Sequence, residues 1–95
     1  MLPEEVKDVA QRIGQFYLRK NDGDYKATQE EILKLRISKL EITDKGVAIT
    51  TERPGILIGK RGTNIDALSS FLAMEVRIIE DRDPLITYLL PFEEH

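Results

Sequence analysis

The stretch Ile56-Leu57-Ile58-Gly59-Lys60-Arg61-Gly62-Thr63-Asn64-Ile65 holds the residues of this chain whose types and spacing could do chemistry. Two glycines bracket two bases, with Ile58 before the first glycine and Ile65 shortly after the second. Gly59 can take a backbone conformation closed to other residues, and Gly62 lets a foreign backbone come close. A helix beginning just past such a turn offers free N–H groups and the positive end of its dipole, a setting that favours an anion and phosphate above all. Lys60 and Arg61 add two mobile positive charges. From Arg53 to Thr63 there are three bases and no acid, in a chain where 17 acids outnumber 14 bases. Positive charge is concentrated at one place.

Two other phosphate-binding patterns fail on the residues. A P-loop needs four residues between its glycines and then Lys followed by Ser or Thr. Here only three residues lie between Gly55 and Gly59, and Lys60 is followed by Arg61. A dinucleotide fingerprint needs a strand running into G-x-G-x-x-G, of which only the last half is present. Catalytic chemistry has little to work with. There is no cysteine, the single histidine is the terminal His95, and the carboxylates show no paired spacing beside a cleft. No catalytic residue, metal ligand or cofactor is therefore expected.

Ninety-five residues with 41% hydrophobic and 33% charged side chains suit one soluble domain. The formal charge of −3 argues against a strong global field for nucleic acid. No apolar run approaches the length of a bilayer span, and Met-Leu-Pro-Glu-Glu at the start lacks both a basic and an apolar leader region. A cytoplasmic location without membrane contact is the expectation.

The elements that must position the turn follow from periodicity. Leu2, Val6, Val9, Ile13 and Phe16 recur at spacings of three and four, predicting a helix over 2–20 that Asn21-Asp22-Gly23-Asp24 ends. Residues 21–31 read as a polar loop. Thr28 and Glu31, at capping-box spacing, suggest a short helical turn over about 29–33. Leu33, Leu35 and Ile37 alternate, and Leu40 and Ile42 alternate in the opposite phase. The switch at Ser38-Lys39 implies a bulge or a strand that starts late. Asp44-Lys45-Gly46 turns the chain into Val47–Thr51, giving an antiparallel hairpin whose outer face carries Glu41 and Thr43. Pro54 opens a short apolar helix. Beyond the glycines, Thr63 and Asp66 look like a cap for a helix with Ile65, Leu68 and Leu72 on one face. Glu75–Glu80 reads as a strand, and Asp81-Arg82-Asp83-Pro84 breaks it. The expected fold is α+β, a three-stranded sheet with helices packed on one face. Residues 1–83 would form the domain, and 84–95 an apolar extension with an acidic end.

Taken together, the aliphatic–G-x-x-G–aliphatic pattern at Ile58, Gly59, Gly62 and Ile65, the base at Lys60 and the order of elements resemble the KH domain in its type II arrangement, αββααβ. That resemblance implies single-stranded RNA as partner, with the backbone of about four nucleotides along Gly59-Lys60-Arg61-Gly62. Bases would enter a groove floored by Ile58, Ile65 and Ile78 or Ile79, with Arg53, Arg77 and Arg82 as further contacts. Single-stranded DNA, a ribosomal surface or a protein are further partners it admits. The competing reading is a KH-fold protein-interaction module that docks through the C-terminal apolar segment or a sheet edge.

Overall fold

A computed structural model of the chain describes residues 3–81. The predictions for 84–95 and for Arg82 lie outside the described residues. Helix α1 (Pro3–Lys20) opens the fold, with Glu4 and Glu5 in its first turn and Arg19 and Lys20 in its last, each charge matched to its end of the dipole. Of the predicted stripe, Val9 and Ile13 are buried and Phe16 packs partly against the core. Tyr17, which the stripe omitted, is buried more deeply than any of them.

The largest departure from expectation comes next. Residues 25–35 are not a loop with a single turn but a helix, α2 (Tyr25–Leu35), and it starts earlier than the capping-box reading placed it. Asp24 is the cap, its side chain accepting from the Ala27 N–H at 3.0 Å. Thr28 is a buried residue inside the helix, and its hydroxyl donates back to the Asp24 carbonyl at 2.7 Å. Leu35 is buried while Leu33 lies 74% exposed, so their alternation was helical and not extended. Arg36 in the left-handed region ends the helix, its N–H donating to the Leu33 carbonyl.

Strand β1 (Ile37–Ile42) then pairs antiparallel with β2 (Gly46–Thr51), with a register shift between Ile37 and Lys39. Both causes of the phase switch are thus present: the strand starts late and it carries a bulge. A short α3 (Pro54–Ile58), a single 3₁₀ turn over Lys60–Gly62 and α4 (Thr63–Leu72) lead to β3 (Glu75–Glu80), which lies parallel to β2. The sheet order is β1-β2-β3. The expected α+β fold is present, with one helix more than the periodicity disclosed.

Val47 and Ile49 of β2 join Val9, Ile13, Tyr17, Leu35, Leu57, Leu68 and Leu72 in one buried cluster. Each such side chain contributes roughly 1.5–3 kcal/mol by leaving water. Leu57 on α3 and Leu68 on α4 are fully buried, so both helices are pinned to the core on either side of the glycine turn. Because β3 returns parallel to β2, α4 must travel back along the sheet. Its first turn therefore stands at the end where β2 and β3 finish. Thr51 braces that end: its hydroxyl donates to the Leu35 carbonyl and accepts from the Arg53 N–H. Among the described residues no helix is long and apolar enough to cross a membrane.

Candidate nucleic-acid interface

The turn between α3 and α4 is shaped by backbone torsions that side-chain-bearing residues avoid. Gly59 stands at φ 79°, ψ 174°, Arg61 at φ 57°, ψ 27° and Gly62 at φ 75°, ψ 12°. The first of these lies in a region open essentially to glycine alone. A Cβ on Gly59 would also come within 2.6 Å of the Asn64 Cβ and 2.9 Å of its N, so the residue is required twice over. A Cβ on Gly62 would meet nothing nearer than Ile65 Cγ2 at 3.9 Å, which leaves that flank of the turn open.

The amides of Gly59, Gly62 and Thr63 donate to the carbonyls of Gly55, Gly59 and Lys60. Those of Lys60 and Arg61 enter no turn, loop or cap hydrogen bond outside the helices among the described residues. A helical Lys60 followed by left-handed Arg61 is the backbone alternation that gathers successive N–H groups into an anion-binding concavity. Both side chains are exposed, and neither enters an ion pair among the described residues. The capping box read from Thr63 and Asp66 does not form. Gly62 is the cap residue, and the Thr63 hydroxyl donates backward to the Lys60 carbonyl at 2.8 Å, closing the 3₁₀ turn.

Ile58 and Ile65 flank this turn half-buried, and neither belongs to the central cluster. Strand alternation decides between the two β3 candidates. Ile78 faces the helices and packs against the core, whereas Ile79 is exposed on the other side. The same alternation corrects the placing of Arg77. It lies on the open face of the sheet, level with Ala48, beside Thr43 and Lys45 of the hairpin turn. Arg53 is exposed at the start of α3 and shares a shallow groove with Lys34, Arg36 and Ile56. The structure therefore brings Ile58, Gly59, Lys60, Arg61, Gly62 and Ile65 together, sets Arg53 a short way off, and puts Arg77 elsewhere.

The residue that holds the turn in place is Asn64, which periodicity did not single out. Its Nδ2 donates to the Leu57 carbonyl at 2.7 Å and to the Tyr17 hydroxyl at 3.0 Å. One side chain thus ties the start of α4 to the end of α3 and to α1. Burial raises the pKa of Tyr17, the Asn64 hydrogen bond opposes the rise and the Glu31 charge adds to it, so the phenol stays neutral.

Glu31 carries the support outward. It accepts from Lys20 Nζ and from Asn21 Nδ2, each at 2.9 Å. Burial alone would raise its carboxyl pKa. The hydrogen bonds from Asn21 and Lys20, with the charges of Lys20 and Lys34, outweigh that and leave it below the ordinary value. A depressed carboxyl pKa means stabilisation that is complete above the unfolded value and fades as pH falls towards the folded one. Thermal unfolding of Glu31→Gln should therefore show a shallower loss of stability below pH 4.5 than the parent. The difference will be modest, because the carboxylate is 26% and Lys20 47% exposed. Parallel curves for the two proteins in acid would show that the pair contributes nothing.

A small mixed sheet carrying two helices joined by a basic two-glycine turn defines a compact α+β class of module. The KH domain model matches residues 25–86, and the chain belongs to that family, a family of RNA-binding modules. Among curated proteins it is similar to small ribosomal subunit protein uS3 of Chloroflexus aurantiacus, 36% identical over 66 residues, which cover 62% of this chain and 27% of that protein. It is also similar to uS3 of Streptococcus gordonii, 28% identical over 106 aligned positions covering 85% of this chain and 49% of the relative. The chain thus spans between about a quarter and a half of the curated relatives it matches. No solved structure gave a significant match. Among the described residues no group of three or more His, Cys, Asp or Glu could hold a metal ion.

Proposed function

We propose that this chain binds single-stranded RNA as a non-catalytic module, clamping about four nucleotides of sugar-phosphate backbone along Gly59-Lys60-Arg61-Gly62. Ile58 and Ile65 form the apolar sides of the adjoining groove, with Ile78 behind them, and Arg53 is an outer phosphate contact. The observation that carries this reading is the pair of exposed cations, Lys60 and Arg61, neither in an ion pair among the described residues, on a turn that Gly59 opens in torsions reserved for glycine and Gly62 leaves open to a close approach. Similarity to ribosomal proteins supports RNA as the class of partner, and a ribosomal surface is one setting in which such a module would work. Few phosphates are touched, so a single module should bind with micromolar affinity and mild salt dependence, each contact adding about 0.7 to the logarithmic slope.

The test is a titration of the ¹⁵N-labelled chain with short random-sequence RNA, followed by NMR. Amides of residues 59–65 should shift first and furthest, and the same RNA presented as a duplex should shift them little. If shifts concentrate on the open sheet face around Ala48 and Arg77 instead, the clamp is misplaced.

A further inference from the structure

A cleft of about 640 Å³ lies on the other side of α4, between that helix and the end of α1. That volume is within the range of about 300–1,000 Å³ typical of small-ligand sites. Gly59, Lys60 and Thr63 form one edge of it, so the cleft is continuous with the clamp. Its walls are Phe16 and Phe71, whose ring centroids stand 5.7 Å apart at 60°, and the Arg19 guanidinium lies 5.7 Å from the Phe71 centroid. Arg19, Lys20 and Lys60 line it with a single acid, Glu31, which is already engaged by Lys20 and Asn21. A net positive, aromatic-walled cleft in an acidic protein complements a nucleotide, which offers a phosphate and a flat base. It does not suit an acidic helix, which would offer the rings nothing to stack on.

We propose that this cleft is a second nucleotide subsite, receiving the residue of the RNA strand that leaves the clamp past Lys60. Its phosphate pairs with Arg19 and Lys60, and its base stacks on the Phe71 ring and the Arg19 guanidinium plane. The inference rests on the clamp reading and extends the footprint of the same strand. Contacts made by one continuous strand act at high effective concentration, so even a weak second contact deepens affinity.

Two variants isolate the cleft. Arg19 is exposed and makes no ion pair among the described residues, so Arg19→Glu reverses its charge without unpacking the core. Ala67 is an exposed position of α4 lining the cleft, and Ala67→Glu fills it with a long acidic side chain. Fluorescence anisotropy would compare labelled random-sequence RNA of about four and about eight nucleotides, the shorter length being what the clamp alone holds. The longer RNA should bind each variant on the order of tenfold more weakly than the parent, as expected for losing one stacked base. The shorter RNA should bind all three proteins alike, and comparison at fixed length cancels the extra registers of the longer strand. If parent and variants hold the longer RNA equally, the cleft is not a subsite, whatever the clamp does. If the short RNA leaves the amides of 59–65 unmoved while Ala67→Glu still weakens the longer one, the clamp reading fails and the cleft stands.

Discussion

Lys60→Asp combined with Arg61→Asp is expected to abolish binding of single-stranded RNA while leaving the fold intact. Each cation offers the phosphate backbone a charge-assisted hydrogen bond worth about 1.5–3 kcal/mol, so losing both weakens binding by at least about a hundredfold. Reversal adds repulsion to that loss and takes a micromolar complex out of range. Stability should barely move. Both side chains are exposed, and neither pairs with an acid among the described residues. Aspartate tolerates the left-handed torsions of position 61 better than most residues, and acids near the start of α4 match its dipole. Circular dichroism melting of the double variant and the parent should therefore nearly superimpose, separating lost binding from lost fold. The salt dependence of residual binding should flatten as well, since the phosphate contacts that generate it are gone. A double variant that binds as tightly as the parent would remove the clamp from the account altogether.

The parts of the fold legible in the sequence are those whose causes are local. The stripe of Val9 and Ile13, the glycine-closed hairpin and the alternation of Val76 with Ile78 each state their own geometry, and each is found. Helix α2 was missed because its buried face offers Thr28, Ile32 and Leu35, and a polar member breaks the apolar period. Its cap, Asp24, stood inside a run that read as a terminator, where a residue that ends one helix can begin the next. Arg77 shows a different limit. Alternation set it opposite Val76 and Ile78, but only the packing of the helices determines which face of the sheet is covered. Asn64 shows a third, because its partner Tyr17 lies 47 positions away and the bond exists only once α1 and α4 meet. The candidate loop was readable from torsional and charge requirements alone; what supports it was tertiary.

Gly59→Ala should destabilise the chain far more than Gly62→Ala, although the two glycines look equivalent in the motif. At position 59 alanine meets torsions of φ 79°, ψ 174°, a conformation costing a residue with a side chain about 1–3 kcal/mol. It must also displace the Asn64 Cβ and backbone N, which lie 2.6 and 2.9 Å from where the methyl would sit. Moving the backbone there shifts the first turn of α4 and strains the bonds from Asn64 to Leu57 and Tyr17. Overpacking of this kind adds about 1–3 kcal/mol. A combined loss of roughly 2–6 kcal/mol is a large part of the 5–15 kcal/mol that holds a small domain folded, and should lower its melting temperature by roughly 8 °C or more. At position 62 the torsions are plain left-handed helix and the nearest atom is 3.9 Å away, so alanine should cost only about 1 kcal/mol. Urea denaturation of both variants gives the comparison directly, and equal midpoints would mean that Asn64 does not hold the turn against α3. The asymmetry has a functional side. The glycine that is locked anchors the loop to the core, and in the proposed clamp the open glycine borders the RNA strand, so Gly62→Ala should weaken RNA binding in a chain that remains folded.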